Sequence, residues 1–156
     1  MLITRISSEP LTSVSIEDFR PSEAVFAWRD IGAWVEFRGT VRRGGKGRIV
    51  EAMTYDGHPA LVARAMEAVA TEVSRTVSQP WSGCVLLRLG RVEAGEASVL
   101  IATVSAHRAA AYDANRAVLE GLKRSAPIWK CEHFSDGTKA WLDGRSLRES
   151  HEEDSP

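Results

Sequence analysis

The sequence has little of what would mark a disulfide-rich, membrane-spanning or nucleic-acid-binding protein. Its two cysteines, Cys84 and Cys131, are too few for a disulfide framework or a cysteine zinc site, and they favour a reduced, cytoplasmic protein. No apolar run reaches the about 20 residues that span a bilayer, and the first residues lack the apolar core of a signal peptide. The net charge of −1 gives no overall attraction to nucleic acid or an anionic membrane. Any anion must therefore be bound by a local cluster of basic residues.

What is present predicts one α+β domain. A chain of 156 residues with 44% hydrophobic content can bury one core of ordinary size. Val62, Met66, Val69, Val73 and Val77 follow Pro59 at helical spacing and predict an amphipathic helix. A second, Ala-rich helix is predicted over 109–124, and residues 98–104, nearly all apolar or β-branched, predict a central strand. Further strands are predicted over 33–38, 49–55, 84–92, 128–134 and 139–142. This order predicts a mostly antiparallel sheet with two long helices packed on it.

The chain divides into three parts on composition. Residues 1–31 form an approach segment with short helical turns predicted at 15–18 and 24–28. Residues 32–144 form the domain, and residues 145–156 form an acidic, polar tail that we expect to be disordered. A basic loop over 43–48 contains three glycines. This loop is either a flexible hairpin connection or a clamp for an anionic ligand.

Four side chains that can carry positive charge fall at junctions between predicted elements. His107 and Arg108 follow the central strand, Lys123 lies at the end of the second helix, and Lys130 follows a Pro-Ile-Trp step. Junctions can present charged groups to a cleft. Basic residues also collect at helix ends for dipole reasons, and most are ordinary surface charges. Spacing alone leaves both interpretations open.

A set of motifs nevertheless resembles one family. Phe37-Arg38-Gly39-Thr40-Val41-Arg42, then Gly95-Glu96, Ser105-Ala106-His107-Arg108, Leu122-Lys123 and Ala126-Pro127-Ile128-Trp129-Lys130-Cys131-Glu132 occur in this order. The sequence over about 32–144 is similar to the large, catalytic subunits of molybdopterin synthase, the MoaE-like family. The combination is specific, although no single motif is.

The resemblance implies an α/β hammerhead-type fold with an additional antiparallel β subdomain. It implies a homodimer within a heterotetramer, in which each copy receives a small ubiquitin-like sulfur-carrier subunit. The carrier's C-terminal Gly-Gly thiocarboxylate would donate two sulfurs to cyclic pyranopterin monophosphate, giving the dithiolene of molybdopterin. No metal or other cofactor is implied. Because the chain contains no terminal Gly-Gly, the carrier must be a separate protein.

The resemblance also implies the site residues. Lys123 would be the principal catalytic residue and Lys130 the second, and both would also contact substrate. Arg42, His107 and Arg108 would bind anions, and Cys131 and Glu132 would line the same pocket. Two departures stand out: His58 replaces a frequent tyrosine, and Leu87-Arg88 stands where His-Arg is frequent.

The residue chemistry fits this reading and leaves alternatives. Arg binds phosphate through two parallel hydrogen bonds, so Arg42 and Arg108 would clamp anions, with His107 as a donor or proton shuttle. Crowding by other cations would leave Lys123 partly neutral, and Lys130 would stabilise developing negative charge.

Two neighbours of Lys130 have more than one interpretation. Glu132 would orient Lys130 through an ion pair or be a solvated strand charge, and Trp129 would be a core or pocket-wall residue.

Two alternative functions remain open: a persulfide sulfurtransferase with Cys131 as nucleophile, and a non-catalytic phosphate- or nucleotide-binding module.

Overall fold

The fold was taken from a computed structural model, which describes residues 2–13, 28–45 and 47–142. The elements in chain order are β1 (Leu2–Ser7), a 3-10 helix (Trp28–Asp30), β2 (Ala33–Thr40), β3 (Gly44–Gly45), β4 (Arg48–Asp56), α1 (Pro59–Thr76), β5 (Trp81–Arg88), β6 (Gly90–Glu93), β7 (Ala97–Ser105), α2 (Arg108–Ser125), β8 (Trp129–Phe134) and β9 (Lys139–Trp141). The described strands form two sheets, so the predicted α+β class is confirmed.

The first sheet carries the two helices. Its strand order is β1-β5-β7-β2, with β7 antiparallel to both of its neighbours and β1 parallel to β5. The predicted central strand is confirmed, because β7 is buried along its length except for the half-buried Val99. Asn115 fixes α2 to this sheet by donating from its side-chain amide to the carbonyls of Val35 and Ile101, at 3.2 and 3.0 Å.

Helix α1 packs against both the sheet and α2. Its buried residues Val62, Met66, Val69 and Val73 are those of the predicted apolar stripe, and Val77 stands just past the end of the helix. Gly121 allows α2 to approach α1 closely, since a Cβ at this position would lie 2.7 Å from Cγ1 of Val69. The core between the helices and the sheet therefore depends on a small residue at the helix crossing.

The second sheet is antiparallel and has its own small core. Its order is β3-β4-β8-β9, and β6 pairs with β4 on the edge away from β8. Val41, Val50, Val92 and Phe134 are the buried residues of this core. The predicted hairpin of 128–134 with 139–142 is confirmed as β8 and β9, and Gly137 takes the positive φ of +81° in the turn. This sheet corresponds to the additional β subdomain that the resemblance implies.

The strand predicted over 84–92 is wrong as one element. The chain leaves the first sheet at Arg88 and enters the second at Gly90, which has a φ of +90°. Such a conformation is easy only for glycine, so Gly90 makes the bend. Arg88 also binds Glu96 at 2.7 Å and joins the end of β5 to the start of β7. Leu87, just before this bend, lines the cleft described below.

The N-terminal residues add a strand that the sequence analysis did not predict. Leu2–Ser7 pairs in parallel with β5 at the edge of the first sheet. The helical turns predicted at 15–18 and 24–28 lie outside the described residues except for Trp28, and the acidic tail over 145–156 lies outside them entirely. No helix in the described part of the chain has the length and apolar character needed to cross a membrane.

Candidate active site

A cleft of about 440 Å³ opens between the two sheets and the end of α2. Six of the strands and helices, together with the links beside them, contribute to its walls. The lining residues are Phe37, Gly39, Thr40, Arg42, Tyr55, Leu87, Ser98, Val99, Leu119, Leu122, Lys123, Ala126, Ile128 and Lys130. Three predicted site residues, Arg42, Lys123 and Lys130, are therefore brought together although 88 positions separate the first from the last.

Lys123 reaches the cleft from the last turn of α2. The helix continues to Ser125, where Ala126 and Pro127 end it. The Lys123 ammonium lies 3.8 Å from the carboxylate of Glu120, one turn earlier, and the side chain is 31% exposed. An i,i+3 pair at this exposure contributes only a few tenths of a kcal/mol, about 0.2–0.5. Its effect is to place a cation with a nearby counter-charge at the cleft rim.

Lys130 occupies a drier position on β8. Strand register sets it opposite Tyr55 of β4, and its Nζ atom lies 5.8 Å from the centroid of the Tyr55 ring. Burial lowers the pKa of Lys130, and the charge of Lys123 lowers it further. Both causes disfavour an ammonium at this position. A lowered pKa, as expected for a lysine crowded by other cations, is therefore found at Lys130.

Tyr55 and Ser98 line the cleft, and sequence reasoning missed both. Burial raises the pKa of Tyr55, and a hydrogen bond with Ser98 partly opposes this rise. The Ser98 hydroxyl also donates to the carbonyl of Gly39 at 3.3 Å. Pairing the two predicted strands around 49–55 and 128–134 would have placed Tyr55 beside Lys130, but the register cannot be read from the sequence.

Apolar side chains make most of the rest of the wall. Phe37, Leu87 and Val99 come from the first sheet, and Leu119, Leu122 and Ile128 from α2 and the link to β8. Leu87 therefore puts an apolar surface at a position where the family that the sequence resembles frequently has a histidine. Trp129 is 55% exposed, so its prediction as a core or pocket-wall residue is wrong. Alternation along β8 explains this, because Trp129 and Lys130 point to opposite faces of the sheet.

His107 and Arg108 do not line this cleft in a single chain. Both are exposed at the start of α2, with His107 as the residue that precedes the helix. Lys123 lies fifteen residues further along α2, which corresponds to about 22 Å at the α-helical rise. The interpretation that all the basic residues converge within one copy of the chain is therefore not what the fold shows.

Cys131 and Glu132 are next to Lys130 in the sequence but do not line the cleft. Cys131 is 4% exposed and faces the opposite side of β8, with its Sγ atom 3.8 Å from the Glu132 carbonyl. Glu132 lies on the same face as Lys130 and is half-buried. Glu132 and Lys130, both within the described residues, form no ion pair, so of the two interpretations of Glu132 the structure does not support the ion pair.

The arrangement is suited to anions with an apolar part. Arg42 can make two parallel hydrogen bonds to an oxyanion, and the two amines can stabilise negative charge or move protons. Across the described ranges, no three His, Cys, Asp or Glu side chains are grouped as metal ligands.

Comparison with known proteins agrees with the geometry. The family model described as "MoaE protein" matches residues 12–125. The chain belongs to the MoaE family. A relative from Synechococcus elongatus, named molybdopterin synthase catalytic subunit, is 38% identical over 116 residues, which cover 74% of this chain and 70% of the relative.

Solved structures of the MoaE family extend the match beyond that range. The crystal structure of molybdopterin synthase from Staphylococcus aureus has a TM-score of 0.74 at 28% identity, covering 88% of this chain and 94% of that one. A complex of subunits 1 and 2 of molybdopterin-converting factor from Helicobacter pylori has the same fold, with a TM-score of 0.61 at 23% identity and 76% coverage of each chain. The hammerhead-type fold with its β subdomain is therefore confirmed for this MoaE-family chain.

The MoaE family model includes some of the site residues and not others. Arg42, His107, Arg108 and Lys123 lie within the matched range of 12–125, whereas Lys130 lies beyond it. The evidence for Lys130 is instead its position in the cleft beside Lys123 and Tyr55.

Proposed function

We propose that this protein is the catalytic subunit of a molybdopterin synthase. It transfers two sulfurs from the C-terminal thiocarboxylate of a small carrier protein to cyclic pyranopterin monophosphate and so forms the molybdopterin dithiolene. The observation that carries the proposal is the convergence of Arg42, Lys123 and Lys130 in one cleft with apolar walls. Membership of the MoaE family supports it.

Each substrate brings a negative group that the cleft can bind. Arg42 binds the phosphate of the pterin, because its guanidinium matches a phosphate with two hydrogen bonds. The lysines bind the thiocarboxylate and the charge that develops as sulfur adds to the pterin. The apolar walls exclude water from the thiocarboxylate and favour transfer over hydrolysis.

The sulfur carrier is a separate subunit. The Helicobacter pylori structure with the same fold is a complex of subunits 1 and 2 of molybdopterin-converting factor. The carrier tail enters the cleft between the two sheets, where Gly39 lines the wall without a side chain.

His107 and Arg108 contribute to substrate binding only through a second copy of the chain in a homodimer. The length of α2 separates them from their own Lys123, so a cleft that uses them must combine residues of two protomers. A complementation test follows. Lys123→Ala and Arg108→Ala are each inactive, and mixed dimers regain activity because one of their two clefts is intact. If mixing restores nothing, Arg108 either acts within its own chain or has no role in binding substrate.

The Cys131 persulfide mechanism is disfavoured. The Cys131 thiol is buried on the face of β8 away from the cleft, so it cannot meet a substrate bound there. Cys131→Ser should keep sulfur transfer. A non-catalytic phosphate-binding module would need no thiocarboxylated partner, and ligand binding without product formation would identify it.

We also propose the cytoplasmic location that was predicted, and we propose that the domain extends beyond the predicted limits of 32–144 at its N-terminal side. Both cysteines are buried as thiols, which is typical of proteins in a reducing compartment. The strand β1 adds Leu2–Ser7 to the first sheet of this domain.

Reconstitution tests the function directly. The protein is mixed with a thiocarboxylated carrier and cyclic pyranopterin monophosphate, and the dithiolene product is quantified. Lys123→Ala and Lys130→Ala should each lose about 100-fold or more, the scale of a lost general acid, base or electrostatic group. Lys139→Ala, on the exposed strand β9, is the matched control and should behave as wild type. Absence of product from wild type with an active carrier would refute the proposal.

A further inference from the structure

The turn between β6 and β7 binds the residue that precedes Arg42. Val41 donates its amide N–H to the carbonyl of Glu96 at 3.0 Å, and its own carbonyl accepts from the amide of Gly95 at 2.8 Å. Val41 is also buried in the small core of the second sheet. The backbone from which the Arg42 side chain starts is therefore fixed on one side by two hydrogen bonds to this turn.

The Arg42 side chain depends on such backbone anchors. Arg42 is exposed, and its guanidinium forms no ion pair with any residue that the structure describes. On its other side, the carbonyl of Arg43 accepts from the amide of Val50 at 2.7 Å. Because no side-chain partner directs the guanidinium, its place at the cleft is set by how firmly the neighbouring residues are held.

An ion pair between Arg88 and Glu96 holds the turn over 93–96. Arg88, at the end of β5, is 8% exposed, and its Nη1 atom donates to Oε2 of Glu96 at 2.7 Å. The same oxygen accepts from the amide of Glu93 at 3.1 Å, at the other end of the turn. Hydrogen bonds between charged groups at such lengths are the stronger ones in proteins. Glu96 therefore fastens both ends of the turn to the first sheet.

We propose that Arg88 and Glu96 are positioning residues that hold Arg42 at the cleft for the phosphate of the pterin. This inference rests on the proposed function, in which Arg42 binds that phosphate. Neither residue is among those described as lining the cleft, so both act through the turn and Val41. Ion pairs with a buried partner often add little net stability, but they can fix one arrangement of the chain. A guanidinium held in one place can offer both of its parallel hydrogen bonds to an oxyanion.

Glu96→Gln tests this role in the reconstituted reaction, because glutamine keeps the size of the side chain and removes its charge. The KM for cyclic pyranopterin monophosphate should rise about three- to tenfold while kcat changes less than about twofold, since phosphate binding weakens and the chemistry does not. Arg88→Met should act in the same way, and Arg88→Lys, which keeps the charge, should restore most of the loss. An unchanged KM, or a fall in kcat alone, would overturn the proposal.

Arg91→Met is the matched control. Arg91 also forms an ion pair of 2.7 Å at this turn, with Glu93, but both side chains are about half exposed. Neither Glu93 nor the other partner of Arg91, His133, is bonded to Val41. Arg91→Met should therefore keep the wild-type KM and kcat. A rise in KM equal to that of Glu96→Gln would show that any charge lost near the turn has this effect, which contradicts a specific role for Glu96.

Combination with Arg42→Ala separates positioning from a general loosening of the fold. If Glu96 acts through Arg42, the Ala substitution removes the group that Glu96 positions. Glu96→Gln should then raise KM no further in the Arg42→Ala protein, because the two changes belong to one interaction. Effects that multiply would mean that the two residues act independently, and the proposal would be wrong.

Amide hydrogen exchange, measured by NMR on the full chain, tests the arrangement without the reaction. In Glu96→Gln the amides of Val41 and Gly95 should exchange at least about threefold faster, because the turn that they bind is less firmly held. The amide of Val50 should exchange as in wild type. Unchanged exchange at Val41 and Gly95 would refute the anchoring. Absence of product from the wild type would refute the proposed function alone, since exchange decides the anchoring separately.

Discussion

Replacing Lys130 by methionine should stabilise the fold while abolishing activity. Methionine has a similar length and no charge, so the substitution removes the desolvation of an ammonium and its repulsion by Lys123. It also removes the contact between the amine and the Tyr55 ring at 5.8 Å, which opposes the gain by about 0.5 kcal/mol. We expect a net increase of about 1 kcal/mol in the free energy of unfolding near pH 7, or about 2–4 °C in Tm.

The pH dependence of this gain has a definite sign. Because the pKa of Lys130 is lower in the folded state than in the unfolded chain, the unfolded state binds more protons between the two values. The wild-type protein therefore gains stability as the pH rises from the folded-state pKa toward 10.5, the value of an unperturbed lysine. Lys130→Met lacks this titration. Its advantage should be largest at neutral pH and should shrink as the pH approaches 10.

Thermal unfolding at one protein concentration, followed by circular dichroism from pH 6 to pH 10, measures the effect. The concentration must be fixed because association of subunits raises Tm. Lys139→Met is the control, since it removes an exposed lysine. If Lys130→Met lowers Tm at every pH, or raises it equally at every pH, the destabilisation by a buried, crowded amine is not real.

Three further substitutions test the fold. Asn115→Ala leaves the Val35 and Ile101 carbonyls without their amide donor and should cost about 2–4 kcal/mol in urea unfolding; a loss below about 1 kcal/mol would contradict this. Gly121→Ala brings a Cβ to 2.7 Å from Val69 and should cost about 1–2 kcal/mol despite better helix propensity, with a smaller cost when Val69 is already Ala. Asp136→Asn removes a carboxylate whose pKa is lowered to about 2, chiefly by the Thr138 hydroxyl. A carboxylate whose pKa is lower in the folded than in the unfolded state stabilises the fold at pH values above its unfolded pKa. This stabilisation is lost as the pH falls through the folded-state pKa. The Tm difference from wild type should therefore narrow between pH 4 and pH 2, and a constant difference would count against this role.

The helices and most strands could be predicted because local patterns specify them. The stripe from Val62 to Val73 and the apolar run of β7 depend on near neighbours in the sequence. The break between β5 and β6 could not be predicted, because each side of Leu89 is equally suited to a strand. The two strands differ only in their pairing partners: β5 pairs with β7, and β6 pairs with β4.

The candidate site could be predicted only in part, because several of its contacts join residues that are far apart in the sequence. Motif resemblance identified Arg42, Lys123 and Lys130, which do line the cleft. Cys131 was predicted to line the cleft because it follows Lys130 in the sequence, but successive residues of a strand point to opposite faces of the sheet. Tyr55 and Ser98 were missed because their contacts are made across strands, and no local pattern records such pairs.

The short link between α2 and β8 explains why the two lysines meet and yet differ. Ala126 and Pro127 end the helix, and Ile128 leads directly into β8, so only six residues separate Lys123 from Lys130. One lysine therefore belongs to a helix end that faces solvent, where a carboxylate one turn away can accompany it. The other belongs to strand β8, which pairs with β4, and its amine lies 5.8 Å from the centroid of the Tyr55 ring. A link this short therefore places two amines in one cleft but gives them different surroundings.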